Sequence, residues 1–263
     1  MENDIGGEQS KKNKMQFPDS HNNMPDFLII DAMKCGTTTL YQNLVKHPSI
    51  VRAKTKELHF FDVEKEFRKG LDWYTSQFPL LHSKLQNKQD LITGEASPRY
   101  LFIPDVPERV FNAMPDVKLI VLLRNPVDRA FSHYHHLKRR GVEKLTFEEA
   151  INQEGDGNIQ KYNNRTYLAR GKYVEQLKRW MNFFPKEQIL IINSKNYYRD
   201  PIIGLNQVCQ FLDISEWNYK YTKNGSYRYP KMEKHMRERL IQYFKPYNEE
   251  LEDYLGVKFN WDC

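Results

Sequence analysis

The sequence predicts a single α/β domain with a mostly parallel central sheet flanked by helices. Short runs rich in Ile, Leu and Val, each bounded by turn or charged residues, alternate along the chain with amphipathic stretches of helical spacing. In this alternation each helix returns the chain so that the next strand runs parallel to the last, and helices cover both faces of the sheet. A chain of 263 residues is long enough to bury one substantial core.

The individual elements follow from this pattern. Buried strands are predicted at 27–32, 118–124 and 188–193, with a weaker candidate at 90–96. Helices are predicted at 38–46, 126–138, 173–184, 201–212 and 231–255, the last bent or split at Pro246. Residues 1–24 are predicted to be a flexible leader, 25–263 a single domain, and 151–165, rich in Asn, Gln and Gly, a surface excursion.

Composition excludes several classes of protein. The net charge of +6 (40 basic minus 34 acidic residues) is small and spread along the chain, and no motif that reads DNA or RNA is present. Three cysteines, Cys35, Cys209 and Cys263, are too few and too scattered for a disulfide framework or a zinc site. The polar N-terminus lacks the apolar run of a signal peptide, and no apolar segment is long enough to span a bilayer. We therefore expect a soluble, cytoplasmic protein with no metal and no nucleic-acid or membrane partner.

The stretch "KCGTTT", Lys34–Thr39, lies where the first strand gives way to the first helix. A helix N-terminus offers unpaired N–H groups and a partial positive charge, so it binds anions. Gly36 lets the backbone approach a phosphate closely, Lys34 adds a positive charge, and hydroxyl donors come from Thr37, Thr38 and Thr39. A Walker A loop fits poorly because its lysine follows the glycine and Asp31 occupies the position of its first glycine. A simple turn and helix cap stays open as an alternative.

A second anion site is predicted after the strand at 118–124. Arg124 ends that strand, and Ser132 lies about two turns into the following helix, on the face that looks back towards the strand end. An arginine fork and a serine hydroxyl together suit a phosphate. Without further support, an alternative interpretation is that Arg124 is only an exposed residue at the strand end and that Ser132 is an ordinary helix residue. Two anion sites at one sheet edge favour a ligand with two separate phosphate groups.

Five stretches, occurring in this order, resemble the sulfotransferase superfamily: "KCGTTTLYQNLVKHP", "KELHFFD", "GEASPRY", "LLRNPVDRAFSHY" and "YPKMEKHMRERLIQYFKPYNEEL". The resemblance extends from about residue 25 to residue 256. It is to the branch that holds heparan-sulfate sulfotransferases and the bacterial sulfotransferases that tailor natural products.

The resemblance implies a donor, 3′-phosphoadenosine 5′-phosphosulfate (PAPS), as co-substrate. The first loop would hold the 5′-phosphosulfate, with Cys35 contributing its backbone N–H and not acting as a nucleophile, and Arg124 with Ser132 would hold the 3′-phosphate. A late loop over the nucleotide corresponds to "KNGSYRYP", 223–230. Its implied contact residues are Gly225, Ser226, Tyr227, Arg228 and Tyr229. Glycan enzymes carry a lysine at the position of Gly225, and Lys223 or Arg228 would substitute for it.

The resemblance also implies catalytic roles. Lys34 would stabilise the leaving group, Glu57 would be the general base, and His136, four residues after Ser132, is a second candidate for that role. Without the resemblance, Glu57 is an ordinary surface acid and His136 a solvated histidine. His59 either lines the acceptor cleft or packs beside its phenylalanine neighbours.

The acceptor is less well specified. Glycan enzymes carry a lysine after the glutamate of "GEASP", where this chain has Ala96, and this departure favours a small natural-product acceptor. A glycan or a carrier-bound acyl chain is an alternative acceptor. Two alternative functions also stay open: a P-loop kinase, and a nucleotide-binding module without catalysis. The oligomeric state is not predicted. Candidates for lining the acceptor pocket are Trp73, Tyr74, Arg99, Tyr100 and the 151–165 region.

Overall fold

The computed structural model describes residues 24–79, 91–155, 164–224 and 227–261. Its centre is a five-stranded sheet in the order β2-β3-β1-β4-β5, and every strand pair is parallel. The predicted α/β class with a parallel sheet is therefore confirmed. The strands are β1 (Phe27–Ile29), β2 (Ile50–Arg52), β3 (Ile92–Ala96), β4 (Lys118–Leu123) and β5 (Ile189–Asn193).

Ten α-helices are described. They are α1 (Thr37–Leu44), α2 (Glu64–Phe67), α3 (Gly70–Thr75), α4 (Val106–Ala113), α5 (Pro126–Arg139), α6 (Phe147–Gly155), α7 (Tyr173–Met181), α8 (Ser194–Arg199), α9 (Pro201–Phe211) and α10 (Lys234–Leu255). Two single 3₁₀ turns, Ala169–Gly171 and Lys186–Gln188, are also described. None of the described helices combines the length and the apolar character needed to cross a bilayer.

The predicted strands and helices are present, but the structure differs from the prediction in three details. The edge strand β2 was not predicted, because its three residues become progressively more exposed and make no apolar run. Residues 151–155 belong to α6 and are not irregular. Of the bend or split predicted at Pro246, the split does not occur: α10 is continuous through the proline, because it buries residues on both sides, including Phe244 and Asn248, and this packing outweighs one lost hydrogen bond.

Some predictions fall outside the described residues. The leader at 1–24 does so except for Met24, as do Cys263, Gly225 and Ser226. Cys35 and Cys209 are buried free thiols.

The sheet order places the two predicted anion sites side by side. β1 lies between β3 and β4, and Ile29 pairs with Ile120, so the loops that leave β1 and β4 emerge at the same sheet edge. Both strands are buried on both faces, which explains why their sequences are continuous apolar runs. The carboxyl ends of parallel strands are the usual place for a ligand in an open α/β sheet.

Candidate functional site

The loop between β1 and α1 contains two residues with positive φ, Lys34 (78°) and Gly36 (123°). A side chain at Gly36 would place its Cβ 2.8 Å from the hydroxyl oxygen of Tyr198, which reaches over from α8. Only glycine therefore meets both the backbone conformation and the close approach of the tyrosine.

We expect Gly36→Ala to destabilise the protein by about 2–3 kcal/mol, because left-handed backbone strain and displacement of Tyr198 act together. The expected fall in Tm is about 5 °C by thermal unfolding. Gly155→Ala is the matched control, since a Cβ there meets nothing within 4 Å. Adding Tyr198→Phe to Gly36→Ala should recover only the steric part of the loss. A Gly36→Ala protein as stable as the control would contradict this account of the loop.

The three threonines of the loop have different partners. Thr37 donates its hydroxyl hydrogen bond to the buried carboxylate of Asp31. The Thr39 hydroxyl donates to the carbonyl oxygen of Asn224 at 2.9 Å and also lies 3.3 Å from its amide nitrogen. Thr38 alone of the three is exposed, and it accepts from Lys56 Nζ at 2.8 Å. Two of the three hydroxyls are therefore hydrogen-bonded within the protein, and Thr38 is the exposed one of the three.

Cys35 stabilises the turn between β1 and α1 through its backbone. Its backbone N–H, expected to face a phosphate, donates instead to the carbonyl oxygen of Ala32 at 3.1 Å. Its thiol is 1% exposed, and burial raises its pKa to about 12. A thiol that stays protonated is a poor nucleophile, as the sequence predicts.

Positive charge is concentrated at this edge of the sheet. Arg124 donates from Nη1 to the carbonyl oxygen of Lys34 at 3.3 Å, so the two predicted anion sites meet. Burial, followed by the positive charges of Arg139 and Arg124, lowers the pKa of Lys34. Like charges held together in this way favour an anionic ligand, and the donor set of loop, lysine and arginine suits a phosphosulfate. Ser132 lies on α5, 8% exposed.

The described part of the late loop lies against α5. The ring of Tyr229 stacks on His135 with centroids 4.6 Å apart, and the guanidinium of Arg139 lies 3.5 Å from the ring centroid of Tyr227. Burial disfavours the charge of Arg124, but interaction with Tyr229 outweighs it and raises its pKa. The aromatic residues thus connect the late loop to the second anion site. Arg228 is exposed.

Lys223, one of the two predicted substitutes at the late loop, lies on the other side of the first loop. Its Nζ is 5.5 Å from the ring centroid of Tyr198, the residue that packs on Gly36. The structure therefore places a positive charge close to the first loop.

A chain of charged side chains lies at 57–62. His59 Nδ1 is 3.0 Å from Asp62 Oδ1, and His59 Nε2 is 3.5 Å from Glu57 Oε2. Burial would lower the pKa of His59, but the two carboxylates raise it to about 9. Burial would raise the pKa of Glu57, but hydrogen bonds from His59 and Lys56 lower it to about 2. At neutral pH an imidazolium therefore bridges two carboxylates, and Glu57 is ionised. The contacts that keep Glu57 ionised also make it a weaker base than an unpaired glutamate.

Sequence reasoning singled out Glu57 and His59 but missed Asp62. Asp62 orients His59 and also pairs with Arg99, whose Nε lies 3.2 Å from Asp62 Oδ2. The motif "KELHFFD" could have indicated this residue, because its last position is an aspartate three residues after the histidine. This pairing gives His59 a fixed orientation towards Glu57.

The segment that contains Glu57 is held by a buried carboxyl group. Glu95, at the end of β3 and fully buried, accepts hydrogen bonds from Tyr100 Oη at 2.8 Å, Tyr74 Oη at 3.0 Å and the amide of Leu58 at 3.2 Å. The amide of His59 donates to Ser97 Oγ at 3.1 Å. The motif "GEASPRY" therefore fixes the backbone on which Glu57 is carried.

This network corrects two predictions about the acceptor pocket. Tyr74 and Tyr100 were expected to line it, but both are 0% exposed and their hydroxyls serve Glu95. Arg99 is partly exposed and bound to Asp62. Trp73 stacks on Phe60 with centroids 6.0 Å apart. Of the four named residues, only Arg99 contacts the Glu57–His59–Asp62 chain.

His136 lies on α5 near the other candidate residues. Burial, followed by the positive charge of Lys34, lowers its pKa to about 4, and Glu57 acts in the opposite direction. The pKa of His136 therefore responds to the charges of both Lys34 and Glu57. His136 is neutral at pH 7, which is the form that accepts a proton.

Lys56 provides a positive charge where the sequence lacks one. Ala96 stands where a lysine was expected, and its amide donates to the carbonyl oxygen of Lys56 at 2.9 Å. The Nζ of Lys56 contacts both Thr38, at the start of α1, and the carboxylate of Glu57. A cation from a neighbouring segment thus lies between the first loop and Glu57.

Comparisons with known proteins agree with this geometry. The family model described as "Sulfotransferase domain" matches residues 24–250. The chain is 28% identical to heparan sulfate glucosamine 3-O-sulfotransferase 5 of Mus musculus, over 96% of this chain and 78% of that protein. It is 29% identical to bifunctional heparan sulfate N-deacetylase/N-sulfotransferase 3 of Homo sapiens, over 88% of this chain and 30% of that protein. The crystal structure of a sulfotransferase from Alicyclobacillus acidocaldarius superposes with a TM-score of 0.77 at 33% identity, covering 91% of this chain and 99% of that one.

Proposed function

The chain belongs to the sulfotransferase family, and we propose that it transfers the sulfuryl group of PAPS to a hydroxyl or amine of a small natural-product acceptor. The main support is a single arrangement. Lys34 and Arg124 meet at the carboxyl edge of the sheet, beside an ionised Glu57 that is oriented by His59.

In the proposed reaction the acceptor oxygen or nitrogen attacks the sulfur of PAPS in line with the bond that breaks. The new bond joins the acceptor to sulfur, the bond between sulfur and the bridging phosphate oxygen breaks, and the product nucleotide is 3′-phosphoadenosine 5′-phosphate (PAP). Glu57 takes the acceptor proton, with His136 as an alternative base. Lys34 opposes the negative charge that grows on the leaving phosphate, while the loop and Arg124 hold the two phosphate groups.

The choice of a small acceptor is supported by Ala96, which departs from the pattern of the glycan enzymes. A glycan acceptor is the second candidate. It is favoured by relatives named for heparan sulfate and by Arg139 and Arg140, whose positive charges act on His136 beside the proposed base. A cytoplasmic location stays a prediction from the sequence.

We expect PAP to raise the Tm of the protein without magnesium, because a ligand that binds only the native state stabilises it. At a PAP concentration of about 100 times Kd the expected stabilisation is about 2.7 kcal/mol. The measurement is thermal unfolding with PAP alone and, in parallel, with ATP and magnesium. A larger shift with ATP and magnesium would instead favour a P-loop kinase.

The acceptor class is tested by product analysis. The protein is incubated with PAPS and, separately, with a natural-product pool, a heparan-type glycan and a carrier-bound acyl chain. Mass spectrometry then searches each mixture for products heavier by one SO₃ group. Sulfation of the glycan alone would overturn the small-acceptor proposal while leaving the sulfotransferase activity in place.

A further inference from the structure

A buried carboxyl group lies under the first loop and has no place in the reaction as proposed. Asp31 follows β1, is 0% exposed, and its Oδ2 accepts a hydrogen bond from the hydroxyl of Thr37, the first residue of α1. Its other oxygen, Oδ1, has no hydrogen-bond partner within the described ranges. A single side chain therefore ties the two ends of the loop together, and one of its two oxygens makes no hydrogen bond of normal geometry to a described residue.

The surroundings of Asp31 disfavour a fixed negative charge. Burial raises its pKa to about 7, and the hydrogen bond from the Thr37 hydroxyl, interactions with the backbone of Leu122 and of Thr37, and the positive charge of Lys56 only partly oppose this. Two further titratable groups that interact with it are Cys35 and Tyr198, and burial raises the pKa of both, so both are neutral at pH 7. A protonated Oδ1 would remove the unpaired charge while Oδ2 keeps its bond to Thr37.

We propose that Asp31 is a proton-coupled positioning residue of the donor site: its carboxyl group takes up one proton from solvent when the anionic donor binds, and the neutral acid keeps Thr37 and the loop in place. The proposal rests on the proposed function of this loop as the phosphosulfate site. An anion at the N-terminus of α1 adds negative charge beside a buried carboxylate, and two negative charges in a dry environment favour protonation of the acid.

The test is calorimetric titration of PAP at several pH values between 6 and 8.5, in buffers of different ionisation enthalpy. The buffer dependence of the heat gives the number of protons taken up. Near pH 8, the number of protons taken up on binding should be larger by close to one in the wild type than in Asp31→Asn. Near pH 6, the two proteins should take up the same number of protons. Above pH 7 its affinity should fall, relative to Asp31→Asn, by about three- to tenfold per pH unit. PAP itself and Lys34 also exchange protons on binding. This exchange is the same in both proteins, so it cancels when their proton uptake is compared.

A second readout needs no ligand. A carboxyl group with a raised pKa holds its proton more tightly in the native than in the unfolded state, so the wild type should lose stability as pH rises from about 4 to about 7. Asp31→Asn, which cannot titrate there, should lose less Tm over the same range.

Each outcome has a definite meaning. Equal proton uptake by the two proteins, with PAP bound by both, overturns the role of Asp31 alone. No binding of PAP to wild type overturns the proposed function, and the role of Asp31 with it. Should Asp31→Asn not fold, Thr37→Val keeps the carboxyl group and removes its donor. Because that hydrogen bond lowers the pKa of Asp31, proton uptake should then move to higher pH, and an unchanged profile would overturn the proposal.

Discussion

Replacing Glu57 by glutamine is expected to lower turnover by about 10²- to 10⁴-fold, the range found when a general base is removed. The amide keeps the size of the side chain but cannot accept the acceptor proton. Binding of PAP should be nearly unchanged, since Glu57 is not part of the proposed anion sites. The measurement is the steady-state rate of sulfate transfer, together with the Kd of PAP by calorimetry.

Glu187→Gln is the matched control for Glu57. This exposed glutamate lies just before β5, at the opposite edge of the sheet, and its replacement should leave the rate unchanged. Normal turnover of Glu57→Gln would remove Glu57 from the role of base and direct attention to His136. Normal turnover of both Glu57→Gln and His136→Ala would contradict the proposed catalytic arrangement.

Lys34→Ala is expected to reduce turnover by about 10²- to 10³-fold, because the charge that develops on the leaving phosphate loses its nearest cation. It should also weaken PAP binding by about tenfold, as expected for the loss of one charge-assisted contact. Single-turnover kinetics with saturating PAPS separates the chemical step from binding.

The control for Lys34 is Lys178→Ala. Lys178 lies on α7 and pairs on the surface with Glu250, so its loss should change neither rate nor affinity. A Lys34→Ala protein that binds PAP normally and turns over normally would show that the first loop does not hold the reacting end of the donor. Loss of binding with normal turnover at saturation would limit Lys34 to a binding role.

Prediction from sequence succeeded where local pattern and packing agree. β1 and β4 are continuous apolar runs because helices cover both faces of the sheet, and α5 begins where a capping Asn125 is followed by proline. Prediction failed for β2, which has three residues and lies at the sheet edge, where pairing with β3 and not its own composition makes it a strand.

The residue types of the site could be predicted from the sequence alone. They are a glycine with a neighbouring lysine at the end of one strand, an arginine at the end of another strand, and a glutamate in a charged motif. Their roles relative to one another could not be predicted, because hydrogen bonds between distant segments decide them. Hydrogen bonds to Glu95 make two tyrosines structural supports. Separately, Thr37 becomes the hydrogen-bond donor to Asp31, and Asp62 orients His59. Burial then sets the protonation state of each group, and burial exists only once segments far apart in sequence have packed.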